Sequence, residues 1–171
     1  ELGIIRNHYV GRTFIEPTQH IRSLGVKLKH SINKTLIKNK SLVLIDDSLV
    51  RGTTSVKIIK MLYEFGAKEV HLRIASPPIK YPDYYGVDTP TEEELLASKL
   101  DLEGMRKFIN ATTLQFLSIE GLYKSMGIEK RNSSYPQFTD HCFTGEYPVE
   151  PVDANDKNFK DAQLSFLSSK F

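Results

Sequence analysis

The sequence predicts an α/β protein built on a parallel sheet, and three observations carry that expectation. A short continuous apolar run, Ser41-Leu42-Val43-Leu44-Ile45, has the composition of a strand buried on both faces of a parallel sheet. After Gly52-Thr53-Thr54, residues Ser55, Ile58, Ile59 and Leu62 recur at helical spacing, and Gly66 sits where a helix C-cap glycine belongs. Val70, Leu72 and Ile74 then alternate with His71 and Arg73 until Pro77-Pro78 stops them, as in a second strand. Strand, loop, helix and strand in that order make a βαβ unit.

The remaining elements follow the same alternation. Residues 6–30 are polar and basic, with a Glu16-Pro17 break, and read as a mobile loop followed by a short helix. Thr91 with Glu94 three residues later predicts a capping box for a helix through Leu95, Leu96 and Lys99. A further helix is expected over 103–109, a third strand over 114–117 and a short helix over 119–126. Beyond Gly127 the pattern decays, so residues 1–127 are expected to form the main domain and 128–171 a C-terminal extension.

Composition limits the function classes. The chain has 171 residues, 40% hydrophobic and 26% charged, which suits a globular domain with one sizeable core. Its net charge is +2, from 23 Lys+Arg against 21 Asp+Glu, so no global basic field points to nucleic acid. No apolar run approaches the ~20 residues of a membrane helix, and no membrane partner is expected. Cys142 is the single cysteine, unable to form an internal disulfide, which suits a reducing, cytoplasmic location. Glu1 is followed by Gly3, Ile4 and Ile5 without a charged signal region, so the first residue is expected to be a cut inside a longer chain.

The chemistry concentrates in Val43-Leu44-Ile45-Asp46-Asp47-Ser48-Leu49-Val50-Arg51-Gly52-Thr53-Thr54-Ser55. Two adjacent carboxylates at the C-terminal end of a strand stand where open α/β sheets bind ligands. Vicinal ribose hydroxyls would supply partners for Asp46 and Asp47, as would a magnesium ion. Gly52 lets the backbone approach a ligand closely, while Thr53, Thr54 and Ser55 add hydroxyls to the amides that open the next helix, an arrangement suited to phosphate. The competing reading makes Asp46-Asp47 the start of a turn and Thr53 or Thr54 a helix cap. No Gly-Lys-Ser/Thr follows, so a nucleoside triphosphate loop is unsupported. The five histidines, at 8, 20, 30, 71 and 141, show no metal-like pairing and read as structural or surface residues.

Residues 43–55 resemble the signature with which type I phosphoribosyltransferases bind phosphoribosyl pyrophosphate (PRPP), where aliphatics precede two acids and a Gly-Thr-Thr loop. Further runs are similar to the amidophosphoribosyltransferases in particular. These are Arg6-Asn7-His8-Tyr9-Val10-Gly11-Arg12-Thr13-Phe14-Ile15, Ala75-Ser76-Pro77-Pro78-Ile79, Tyr85-Gly86-Val87-Asp88 and Cys142-Phe143-Thr144-Gly145-Glu146-Tyr147-Pro148, so the resemblance covers nearly the whole chain.

The resemblance implies a type I phosphoribosyltransferase-like parallel sheet flanked by helices, incomplete at the N-terminus because an upstream strand and a pyrophosphate loop would precede Glu1. It implies an enzyme that transfers ammonia from glutamine to PRPP, giving 5-phosphoribosylamine and pyrophosphate in the first step of purine synthesis. Asp46 and Asp47 would hold the ribose hydroxyls and the associated Mg2+, and Ser48, Arg51, Gly52, Thr53, Thr54 and Ser55 would wrap the 5-phosphate. Arg6, Tyr9 and Arg12 belong to a loop that would close over PRPP, the arginines facing the pyrophosphate; without the resemblance they read as a solvated basic loop and a packing tyrosine. Ammonia would come from an N-terminal glutaminase domain outside this chain, so the fragment alone is expected to be inactive. Homo-oligomers and purine nucleotide inhibitors are expected partners. Some members hold an iron-sulfur cluster through four cysteines, but the matching positions here include Asp83 and Thr139 beside Cys142, so no iron-sulfur cluster is expected and Cys142 reads as a buried small hydrophobe. The alternatives are another PRPP enzyme, such as a base phosphoribosyltransferase, or a non-catalytic PRPP-sensing regulator.

Overall fold

The computed structural model describes residues 3–6, 30–87, 89, 91–132, 134 and 137–149, with the backbone alone at 6, 30 and 31. The N-terminal strands β1 (Ile4–Arg6) and β2 (His30–Ile32) pair antiparallel, Ile4 opposite Ile32 and Arg6 opposite His30. This ribbon, and the single-turn helix α1 (Lys34–Ile37) after it, were not expected from the sequence. Three residues of strand carry too little alternation to announce themselves.

The expected βαβ unit is present. Strand β3 (Ser41–Asp46), helix α2 (Thr53–Glu64) and strand β4 (Glu69–Ile74) follow one another, and β3 lies parallel to β4 with Leu44 opposite Leu72. Gly66, at φ +90°, turns the chain after α2. The single turn Glu92–Glu94 and the helix α3 (Leu96–Lys99) precede helix α4 (Leu102–Ile109), which leads into strand β5 (Thr113–Phe116). Strand β5 joins β4 in parallel, so the sheet order is β3-β4-β5, and helix α5 (Ile119–Ser125) follows. Val70, Leu72, Ile74 and Leu114 on one face of this sheet are buried with Ile59 and Leu62 of α2 and Met105 and Ile109 of α4. Each such aliphatic side chain removed from water contributes about 1.5–3 kcal/mol to this core.

The sequence reading placed β3 between two covered faces, and the structure corrects this. Strand β3 is the edge of the three-stranded sheet, and its burial alternates, leaving Val43 65% and Ile45 72% exposed. On that face the neighbouring strands present polar groups: His71 Nδ1 lies 2.9 Å and Arg73 Nη1 3.0 Å from Thr113 Oγ1. The described residues form no layer over Val43 and Ile45.

The capping box predicted at Thr91 and Glu94 is also corrected. Thr91 makes no side-chain cap, Leu95 is extended at φ -74° and ψ 122°, and the helix therefore breaks into the turn Glu92–Glu94 and the four residues of α3.

Beyond Gly127 the helix α6 (His141–Thr144) packs residues 141–149 against 80–85. Tyr147 Oη donates to the Pro82 carbonyl at 2.8 Å, and Tyr123 Oη donates to Asp140 Oδ2 at 2.8 Å. Arg131 grips Asp140 and Glu146, at 2.7 Å for the latter. Buried charges persist only when paired in this way. The tail from 150 onwards and Asp88 lie outside the described residues.

Candidate functional site

The parallel strands end together. Ala75 N donates to the Asp46 carbonyl at 2.9 Å, and Leu117 N donates to the Ile74 carbonyl at 2.9 Å, which brings the three strand exits to one edge. At that edge β3 runs straight into Asp46 and Asp47. Asp47 N donates to Asp46 Oδ1 at 3.1 Å, while Ser48 N and Ser48 Oγ donate to Asp47 Oδ1 at 2.6 and 3.1 Å. The local bonds fix the loop and leave Asp47 exposed, with the second carboxylate half-buried beside it.

The loop then buries Leu49 as an anchor and turns at Gly52, whose φ of +74° is the left-handed conformation that favours glycine. Gly52 is the N-cap of α2, and no side chain caps this helix. By contrast, Asp101 caps α4 through Gly104 N at 2.7 Å, and Ser118 caps α5 through Gly121 N at 3.0 Å. The helix start at 53–55 thus presents amides without a capping side chain and without an acid in its first turn. Amide dipoles converging there favour an anion. The alternative in which Thr53 or Thr54 caps the helix fails, because both lie inside α2, exposed, next to buried Ser55.

The structure therefore brings Asp46, Asp47, Ser48, Arg51, Gly52, Thr53, Thr54 and Ser55 into one stretch at the sheet edge. Arg51 turns its guanidinium to Glu94, at 3.1 Å from Nη2 to Oε2. Of the other expected residues, Arg6 is seen only as backbone at the end of β1, and Tyr9 and Arg12 lie outside the described residues.

Sequence reasoning missed the wall behind this loop. Leu96 N donates to the Val50 carbonyl at 2.9 Å, and a Cβ on Gly52 would stand 2.9 Å from Leu96 Cδ2 and 3.2 Å from Phe108 Cε1. Helices α3 and α4 supply that wall from 44 or more positions away, a separation that no local pattern registers.

Among the described residues no group of three or more His, Cys, Asp or Glu side chains is placed to hold a metal ion. Two hard carboxylates at a strand end do suit a hard divalent cation. An iron-sulfur cluster does not fit. The chain has one cysteine, and Asp83, at one matching position, is saturated by Tyr85 N at 2.7 Å, Val87 N at 3.2 Å and His141 Nε2 at 2.8 Å. Burial pushes the Asp83 carboxyl up, but these hydrogen bonds outweigh it and hold the group below its ordinary range. As a carboxylate Asp83 only accepts, so His141 Nε2 is the donor. Cys142 is half-buried, less enclosed than a buried hydrophobe, and burial pushes its thiol up from the ordinary value.

A three-stranded parallel sheet flanked by helices, with an acid pair leading into an uncapped glycine-threonine helix start, is a phosphoribosyltransferase-type fold. Within that class, the chain belongs to the amidophosphoribosyltransferase family, of which it represents a C-terminal part. It is 59% identical over 170 residues to the amidophosphoribosyltransferase of Rhizobium etli, covering 99% of this chain and 34% of that protein. It is 52% identical over 150 residues to the Bacillus subtilis amidophosphoribosyltransferase, covering 88% of this chain and 31% of that one. A solved structure of the B. subtilis glutamine PRPP amidotransferase complexed with ADP and GMP superposes with a TM-score of 0.73 at 51% identity, over 88% of this chain and 33% of that chain. No family model matches. The chain thus spans about a third of the length of the curated relatives it matches. No helix among the described residues is long and apolar enough to cross a membrane.

Proposed function

We propose that this chain supplies the PRPP-binding part of an enzyme that transfers ammonia from glutamine to PRPP, releasing pyrophosphate and forming 5-phosphoribosylamine. The observation that carries the reading is the uncapped start of α2 directly behind the carboxylates of Asp46 and Asp47, with Gly52 between them. The ribose hydroxyls donate to the two carboxylates, and the 5-phosphate takes the amides of 53–55 with the hydroxyls of Ser48, Thr53, Thr54 and Ser55. Arg51 adds a cation to the same phosphate. Asp46 and Asp47 would hold a magnesium ion, whose charge would offset that of the leaving pyrophosphate.

In the transfer, the ammonia nitrogen forms a bond to the anomeric carbon as the bond to the pyrophosphate oxygen breaks, and the nitrogen then loses a proton. No side-chain nucleophile is needed; positioning and charge do the chemistry. Arg6 and Arg12 would face the pyrophosphate, and Tyr9 would help close the loop over it. Glutaminase chemistry, oligomer formation and inhibition by purine nucleotides belong to the same proposal, supported by the family. A cytoplasmic location rests on the single cysteine, which can form no disulfide within this chain. A base phosphoribosyltransferase or a PRPP sensor is less well supported, because the identity extends beyond the loop to 99% of the chain.

The test is ammonia-dependent pyrophosphate release from PRPP by the complete polypeptide. Turnover that requires both PRPP and a divalent ion supports the reading, and PRPP binding without pyrophosphate release would favour the sensor.

A further inference from the structure

Glu94 is placed oddly for a residue beside an anion site. The turn Glu92–Glu94 carries three carboxylates, and a phosphate bound at the start of α2 would repel them. Glu94 nevertheless reaches 43 positions back along the chain to Arg51, instead of capping its own turn. The same short segment touches the loop twice more, through the hydrogen bond from Leu96 N to the Val50 carbonyl at 2.9 Å and through Leu96 Cδ2 against Gly52. Three consecutive loop residues, Val50, Arg51 and Gly52, are therefore each held from the 94–96 segment by a different kind of contact.

From this we infer that Glu94 is a positioning residue for the 5-phosphate loop: it holds the Arg51 guanidinium in place before the substrate arrives. The inference rests on the functional reading above and adds a residue to it. An arginine carries five N–H donors, so the Nη2 contact to Glu94 leaves others to face a phosphate. A long, freely rotating side chain must be ordered when it binds, and ordering it in advance removes part of that cost. Both side chains remain well exposed, at 42% and 50%, so the pair is a modest orienting contact screened by salt and not a structural staple.

The experiment is a double-mutant cycle in the complete enzyme, reading kcat and the KM for PRPP in the ammonia-dependent reaction. Arg51→Ala is expected to raise this KM about tenfold or more, the effect of losing a hydrogen bond to a charged group. Glu94→Ala is expected to raise it about two- to fivefold, the range for exposed ion pairs, with the change confined to KM. Glu94→Gln, which keeps an acceptor, should recover part of that loss. In the Arg51→Ala background, Glu94→Ala should add nothing. An unchanged KM in Glu94→Ala, or an equal loss with and without Arg51, would overturn the inference, the second result assigning Glu94 to the loop's fold. If Glu94→Ala fails while Arg51→Ala and Asp46→Asn still weaken PRPP binding, the functional reading survives. If Arg51→Ala and Asp46→Asn are also silent, that reading falls with it.

Discussion

Gly52 and Leu96 meet so closely that a Cβ at position 52 would have to push the Leu96 side chain aside. The Cβ of any residue at 52 would lie 2.9 Å from Leu96 Cδ2, and the backbone there has φ +74°. Steric and conformational demands coincide at the turn between the acid pair and α2. Gly52→Ala is therefore expected to cost about 1–3 kcal/mol of local stability and to raise the KM for PRPP. Thermal denaturation together with steady-state kinetics checks this, and a variant indistinguishable from wild type in both would contradict it.

Tyr123, Arg131 and Asp140 form a paired group that ties Arg131 and the 137–149 segment to α5. Tyr123→Phe removes one donor to Asp140 and should cost about 1–3 kcal/mol. Asp140→Asn removes the charge facing Arg131, whose side chain is 13% exposed, and should cost more, up to about 3–5 kcal/mol. Chemical denaturation of both variants tests the order. A larger loss in Tyr123→Phe would place the anchor in the tyrosine packing instead of the ion pair.

Acid should release the same group. Burial tends to raise the Asp140 carboxyl, but hydrogen bonds from Arg131 and Tyr123 outweigh it, and the folded value lies below the ordinary 3.8. Asp83 is lowered in the same direction. The unfolded chain thus takes up these protons at a higher pH than the folded one. Their stabilisation is complete well above 3.8 and is lost as the pH falls from that value through the lower folded values. The melting temperature is expected to fall below about pH 4, and less steeply in Asp140→Asn. An identical acid limb in wild type and variant would remove Asp140 from the account.

Cys142 should be a slow thiol. Burial raises its pKa above the ordinary 9.0, so little thiolate is present at neutral pH. Alkylation followed by mass spectrometry of its peptide should run more slowly at pH 7 than for free cysteine. Equal rates would show a more open site.

Much of this was legible in the residues. The run from Ser41 to Ile45, the spacing through Leu62 and the alternation from Val70 to Ile74 announced β3, α2 and β4, because a short β-branched apolar run and the two regular periods mark element type locally. The acid pair and Gly52 were legible for the same local reason: a strand end and a left-handed turn each select a residue type. What stayed hidden was tertiary. Thr91 and Glu94 fit a capping pattern, yet Glu94 is drawn to Arg51 and Leu95 is extended and buried, so packing overrode the local signal. The exposure of Val43 and Ile45 was hidden too, since an apolar run cannot say which of its faces its own chain covers. The helix α6, four residues long, depends on contacts with 80–85 that no periodicity encodes.

The most direct test of the account is PRPP binding by the complete enzyme carrying Asp46→Asn or Asp47→Asn, measured by calorimetry in the presence of a divalent ion. In the proposed placement each variant removes one charge-assisted acceptor from the ribose hydroxyls, and it should weaken binding by about 1.5–3 kcal/mol with unchanged thermal stability. Wild-type affinity in both variants would contradict the placement of the sugar at the end of β3.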